Sequence, residues 1–373
     1  MPLSAEDDLR INVLLANEVQ AIRIDEGPMV LHALSPRGEA RLKLNPNERA
    51  DRYLRNVREA ISGHILGSPG GYPIYIKRWT RTGQINTRLE DLLRLGEPEA
   101  VVAVVHADSL TDELARRAWW CLPTSDNARR MLARPCVAAG TMGPVLAEFL
   151  VEFLPFEEDP AHAMESVRLV LQPGLIDAAT RERLWKAGQR KNALRVGFLA
   201  ATPDDLPETR PAHPASSAYD ARLSALSGDG NPIASRLQAS FSAPGQAFLA
   251  TAQAILDKPA TQAVVSTLLN VMSDRFSIGA ANENRELRSR EIEEVHAEVD
   301  TLLTTPEGDL AEVLTEFPEL RDEIAAILTL ARCNEAVVTQ VFAHSDAVGS
   351  VMRRQIQPLT DHLFRHLNRL QGR

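Results

Sequence analysis

In the run YPIYIKRWTR, Tyr75, Lys77 and Trp79 alternate with Ile74, Ile76 and Arg78, so an extended strand turns an aromatic–cation–aromatic row to one side. Such rings stack on nucleic-acid bases, and the cations between them neutralise phosphates. The preceding segment NERADRYLRNVREAIS, residues 47–62, adds Arg49, Arg52, Arg55 and Arg58 on the helical face opposite Tyr53, Leu54, Val57 and Ile61. Arg49, Arg52, Arg55, Arg58, Tyr75, Lys77, Arg78 and Trp79 make up the candidate partner-binding surface, suited to RNA or to a protein. The competing reading packs Tyr75 and Trp79 on the sheet and leaves Lys77 in water. No RRM, KH or cold-shock consensus accompanies the pattern.

Glycines join the helix to this strand in GHILGSPGGYP. Gly63, Gly67, Gly70 and Gly71 fit neither GxxxxGK[ST] nor GxGxxG, and a helix precedes the loop where a phosphate cradle needs one to follow. Asn47 reads as the helix cap and Gly63 as the residue after its end. Ser68-Pro69-Gly70-Gly71 reads as a turn.

Other reactive side chains are scattered. Cys121, Cys136 and Cys333 form no CxxC pair and have no His ligand spacing, which argues against zinc or a disulfide framework. Trp119 and Trp120 lie about 100° apart on a helix, and Arg116 is placed to stack on Trp120. His362 and His366 are four apart beside Asp361, a spacing that suits a metal, but no third ligand lies near them in sequence. His64 and Ser68 lack a nucleophile elbow. The expectation is no catalytic residue, no metal and no cofactor.

These side chains sit on a chain of ordinary globular composition. The 373 residues are 44% hydrophobic, a length that predicts two to three domains. The N-terminal MPLSAEDDLRINVLLANE has acids where a secretory signal needs cations, and no run approaches the ~18 apolar residues of a membrane span. With its unpaired cysteines, this predicts a cytoplasmic protein without membrane contact. The net charge of −9 is uneven: residues 41–90 carry ten Lys/Arg against four Asp/Glu, and residues 281–330 four against fourteen. That polarity points to an interaction partner, or to one pole lying against another.

The predicted fold is mostly α. Residues 1–85 form a small antiparallel α+β basic region with a meander of about three strands in 19–46. Residues 86–206 form irregular, HEAT-like stacked helices, with Ser109, Asp126 and Asp177 as caps. Residues 207–245, rich in Pro, Ala and Ser, read as a linker with one short helix at AYDARLSAL. Residues 246–373 form a C-terminal helical domain, in which Ile292, Val295, Val299 and Leu302 step as a short seam.

The runs GHILGSPGGYPIYIKRWTR, EPEAVVAVVHA, LTDELARRAWW, GPVLAEFLVEFLPFEE and VRLVLQPGLI resemble the sulfur reduction protein DsrS family over roughly residues 8 to 206. The resemblance implies a soluble cytoplasmic accessory of the dissimilatory sulfite reductase pathway, with no established catalytic residues to carry over. Its partner would then be a protein of the sulfur-oxidation machinery or RNA. The alternative is a cysteine-dependent sulfur-handling enzyme or ligand carrier, which needs one of the three thiols activated.

Overall fold

Ile22, Ile24, Leu31, Ala33 and Leu42 occupy alternate positions along three short segments, and this two-residue period builds the expected sheet. A computed structural model describes residues 3–67, 88–278 and 289–373. Strands β1 (Ala21–Asp25), β2 (Val30–Ser35) and β3 (Gly38–Lys43) pair in order as an antiparallel meander. Ile22 faces Ala33, and Ile24, Leu31 and Leu42 line up across the three strands.

That apolar face is covered by α1 (Ala5–Leu15) and α2 (Ala50–Leu66). Tyr53, Leu54, Val57 and Ile61 are all buried on the inner face of α2, as their spacing predicts. The helix limits differ from expectation. Arg49, not Asn47, stands at the N-cap without a side-chain bond, and the helix runs through Gly63 to stop at Gly67. Gly67 has φ +60°, a left-handed conformation that a Cβ resists, so the second glycine and not the first ends the helix.

One carboxylate ties this layer together. Asp7 is fully buried on α1 and accepts hydrogen bonds from the Tyr53 phenol at 2.5 Å and the Asn45 backbone N–H at 3.3 Å. Burial and the Asp7 bond raise the Tyr53 pKa well above the usual phenol value.

The chain parts into two compact units, Met1–Phe153 and Leu154–Arg373. The division therefore falls inside the predicted 86–206 segment. In the first unit, α3 (Pro98–His106), α4 (Asp112–Cys121), α5 (Ser125–Leu132) and α6 (Met142–Phe153) follow the sheet. Thr111 and Thr124 cap α4 and α5, in place of the expected Ser109 and Asp126; both bond the backbone N–H three residues on.

The second unit contains helices and no strand among its described residues. It contains α7 (Pro160–Val170), α8 (Ala178–Ala187), α9 (Asn192–Ala201), α10 (Ser216–Gly228), α11 (Pro232–Phe241), α12 (Ala243–Asp257) and α13 (Gln262–Phe276). Then come α14 (Ile292–Thr304), α15 (Gly308–Glu316), α16 (Arg321–Arg332), α17 (Ala336–Ala343) and α18 (Gly349–Leu370). Neighbouring helices such as α10 and α11 pack against each other, and helix lengths run from 8 to 22 residues. Asp177 caps α8 as expected. A Cβ on Gly197 would come within 2.6 Å of Val167, so α9 approaches α7 at a distance only glycine permits. Far along the chain, the α12 side chain Gln246 donates to the Leu370 carbonyl at 2.9 Å, and Gln253 meets Asn368 at 2.8 Å and Gln371 at 2.6 Å.

Of residues 207–245, expected as a linker, 216–245 are folded into α10, α11 and the start of α12. Asn231 and Ser242 cap α11 and α12, and Pro232 and Pro244 fall in their first turns, where the missing N–H costs nothing. Leu223, Leu237 and Phe241 are buried. No single helix among the described residues is long and apolar enough to cross a membrane.

Two outcomes are expected. Tyr53→Phe strands part of the buried carboxylate and lowers stability by about 1.5–3 kcal/mol, read from urea unfolding. Trypsin leaves Arg222 and Arg236 uncut in the native protein, whereas a flexible linker would be nicked at both.

Candidate interaction surface

The polar side of the sheet gathers what the sequence scattered. Antiparallel register sets Arg23 opposite His32 and His32 opposite Arg41, a row of three basic side chains across all three strands. Glu39, two residues before Arg41 on the same side, holds the row together. Its carboxylate meets His32 Nδ1 at 2.8 Å, Arg41 Nε at 3.3 Å, Trp120 Nε1 at 3.3 Å and an Arg23 nitrogen at 3.6 Å. The His32 bond, with those of Trp120 and Arg41, holds the Glu39 pKa below the ordinary carboxylate value despite partial desolvation.

Trp120 brings an aromatic surface to this row from α4. The Arg23 guanidinium lies 4.7 Å from the centre of its ring and also donates to the Trp120 carbonyl at 3.4 Å. Arg116, expected as the stacking partner, is instead held in a fork by Glu113 at 2.7 and 2.8 Å. That grip, shared with Arg117, draws the Glu113 pKa down to about 2. Trp119 turns away and packs edge-on against Phe149, 4.8 Å between centroids.

The four helical arginines are less free than their spacing suggests. Arg49 and Arg55 are exposed, and among the described residues neither forms an ion pair. Arg52 is paired with Glu48 at 3.3 Å, and Arg58 bonds Glu26 at 2.6 Å and is half-buried. Tyr75, Lys77, Arg78 and Trp79 lie outside the described residues. Arg23, His32, Glu39 and Arg41 were missed at the sequence level. Their alternation with apolar residues was visible, but only strand register reveals that they form one row.

Two of the three thiols are held in settings that disfavour the thiolate. Cys121 donates toward the Ile22 carbonyl at 3.5 Å, and burial pushes its pKa to about 12. Cys333 is fully buried and likewise pushed to about 12 by desolvation. Cys136 is the exposed one, its sulfur 3.3 Å from the Leu110 carbonyl.

In the second unit, His362 and His366 share a face of α18, and α14 brings a third ring to them. His296 Nε2 lies 3.2 Å from His366 Nε2, and its ring centre is 5.0 Å from that of His362. Burial, then His296 and Arg365, lower the His366 pKa to about 4. No protein-family model, curated protein or solved structure matches the chain.

The His366 shift has a defined sign. An imidazole with a folded pKa near 4 and an unfolded pKa near 6.5 favours folding fully above about pH 6.5, a contribution that fades as the pH falls toward 4. His296 and His213, also shifted down mainly by burial, act in the same direction. Thermal unfolding is expected to drop across this window, and His366→Gln to flatten the slope.

Proposed function

We propose that this chain is a non-enzymatic accessory or regulatory protein that works by binding an acidic protein partner. The observation that carries this reading is the Arg23–His32–Arg41 row, flanked by Trp120, on the polar side of the sheet. Rigid strands hold the cations in fixed positions, which favours docking over adaptable contact. Arginine and tryptophan are also the side chains that most often anchor a protein interface. An acidic protein is favoured over RNA because several of these cations already share carboxylates. Glu39, Glu26 and Glu48 together offset Arg23, Arg58 and Arg52. A polyanion whose binding rests on counterion release gains less from such partly neutralised arginines.

The resemblance to the DsrS family supplies the setting, an accessory role in cytoplasmic dissimilatory sulfur oxidation. The alternative of cysteine-dependent sulfur handling rests on Cys136, the one exposed thiol of the three. Cys121 and Cys333 weigh against it, since a thiol titrating near 12 supplies almost no thiolate at neutral pH.

Two measurements test this reading. Affinity capture from native cells is expected to recover a partner that Arg23→Glu/Arg41→Glu loses and Glu39→Gln retains more tightly. Capture unaffected by the double substitution refutes the surface, and capture abolished by nuclease assigns it to RNA. In the folded protein at pH 8, an alkylating probe is expected to label Cys136 no faster than it labels a free cysteine. A markedly faster reaction at Cys136 favours the sulfur-handling alternative.

A further inference from the structure

His296 and His366 come from helices more than forty residues apart in sequence, yet their Nε2 atoms are 3.2 Å from each other with ring centres 5.4 Å apart. Their contact is an N–H···N hydrogen bond in which one ring donates and the other accepts. Two imidazoles on one tetrahedral zinc, each with a bond of about 2.0–2.1 Å, place their nitrogens about 3.3 Å apart. The pair therefore already has the spacing of two ligands on a common ion. His362, one turn before His366 on α18, has its ring centre 5.0 Å from that of His296. Separation by four residues on one helix is the arrangement with which a helix offers two imidazoles to one ion.

We propose that His296, His362 and His366 form a binding site for a zinc-like divalent cation that clamps α14 to α18. Among the described residues no three such side chains converge on one point as they stand, and the reason is local. The His296–His366 proton occupies the space between the two nitrogens, and His362 Nδ1 accepts from Arg365 at 2.7 Å. Binding moves the donor ring's proton from Nε2 to its own Nδ1, so no proton leaves the protein. His362 then turns toward the pair, and the exposed Arg365 swings into solvent. A water completes the coordination.

The surroundings favour a cation over a proton. His296, His362 and His366 are all partly buried, which shields an ion held between them from bulk water. Glu293 and Asp300, one turn before and one turn after His296, direct negative charge at it; Arg365 opposes them. The three ligands are nitrogen donors, a set that suits zinc, cobalt or nickel and not magnesium or calcium.

The test uses the full chain after removal of metal by chelation. Titration with zinc is expected to show one equivalent bound and a rise in the thermal unfolding midpoint, and cobalt to give the visible absorption of a tetrahedral site. His362→Ala, a partly exposed position whose loss spares the core, should weaken zinc at least tenfold, as should His296→Gln. His106→Ala in the first unit should leave binding unchanged. Absence of zinc, cobalt and nickel binding overturns the proposal. So does weak binding that His362→Ala and His296→Gln leave intact, because it would come from other histidines.

Discussion

Most helices of this protein run eight to fifteen residues, below the length at which an isolated segment holds together in water. Such short helices persist because their apolar faces are covered, and several have a capped first turn as well. Thr111, Thr124, Asp159, Asp177, Asn231, Ser242 and Thr261 all turn a side-chain oxygen onto backbone N–H groups of the next helix. The covering is supplied by side chains such as Phe198, Phe241, Phe248 and Phe317, all essentially inaccessible to solvent. The same dependence fixes the basic row. Arg23, His32 and Arg41 face one another because Ile24, Leu31 and Leu42 must share the opposite side of the sheet. A slip of one residue would bury the cations and expose the core.

What could be read in the sequence was set by local rules. The inner face of α2, the meander and the buried positions Ile292, Val295 and Val299 all follow from a period of two or of 3.6 residues. In the seam of α14, however, Leu303 and not Leu302 is the buried leucine, since a straight helix drifts away from a seven-residue repeat. The proline-rich segment misled because proline both breaks helices and begins them. Pro232 and Pro244 do the second, and the caps Asn231 and Ser242 beside them were the available clue. The pairing of Arg23 with Trp120 and the meeting of His296 with His366 join residues far apart in sequence, which no local period encodes.

The acidic stretch 281–330 illustrates how charge polarity is settled within one unit. Arg222 pairs with Glu316 and Glu319, Arg290 and Arg332 with Glu298, and Arg369 with Asp322 and Glu323. Exposed pairs of this kind each contribute little to stability. Their effect is on register, since like charges are kept apart and each helix is held to one partner. Glu323 is the exception in its surroundings: it is buried, and desolvation raises its pKa although Arg369 stands beside it.

The bonds from Gln246 and Gln253 to α18 also set an order of events during translation. The Gln246 partner lies 124 residues downstream. On a ribosome adding roughly 5–20 residues per second, α12 emerges roughly 6–25 s before that partner has been made. Over that interval the part of α12 that faces α18 is open to solvent and to chaperones. The α12–α18 contact therefore closes late, while α1, the sheet and α2 of the first unit assemble their shared core from residues 3–65.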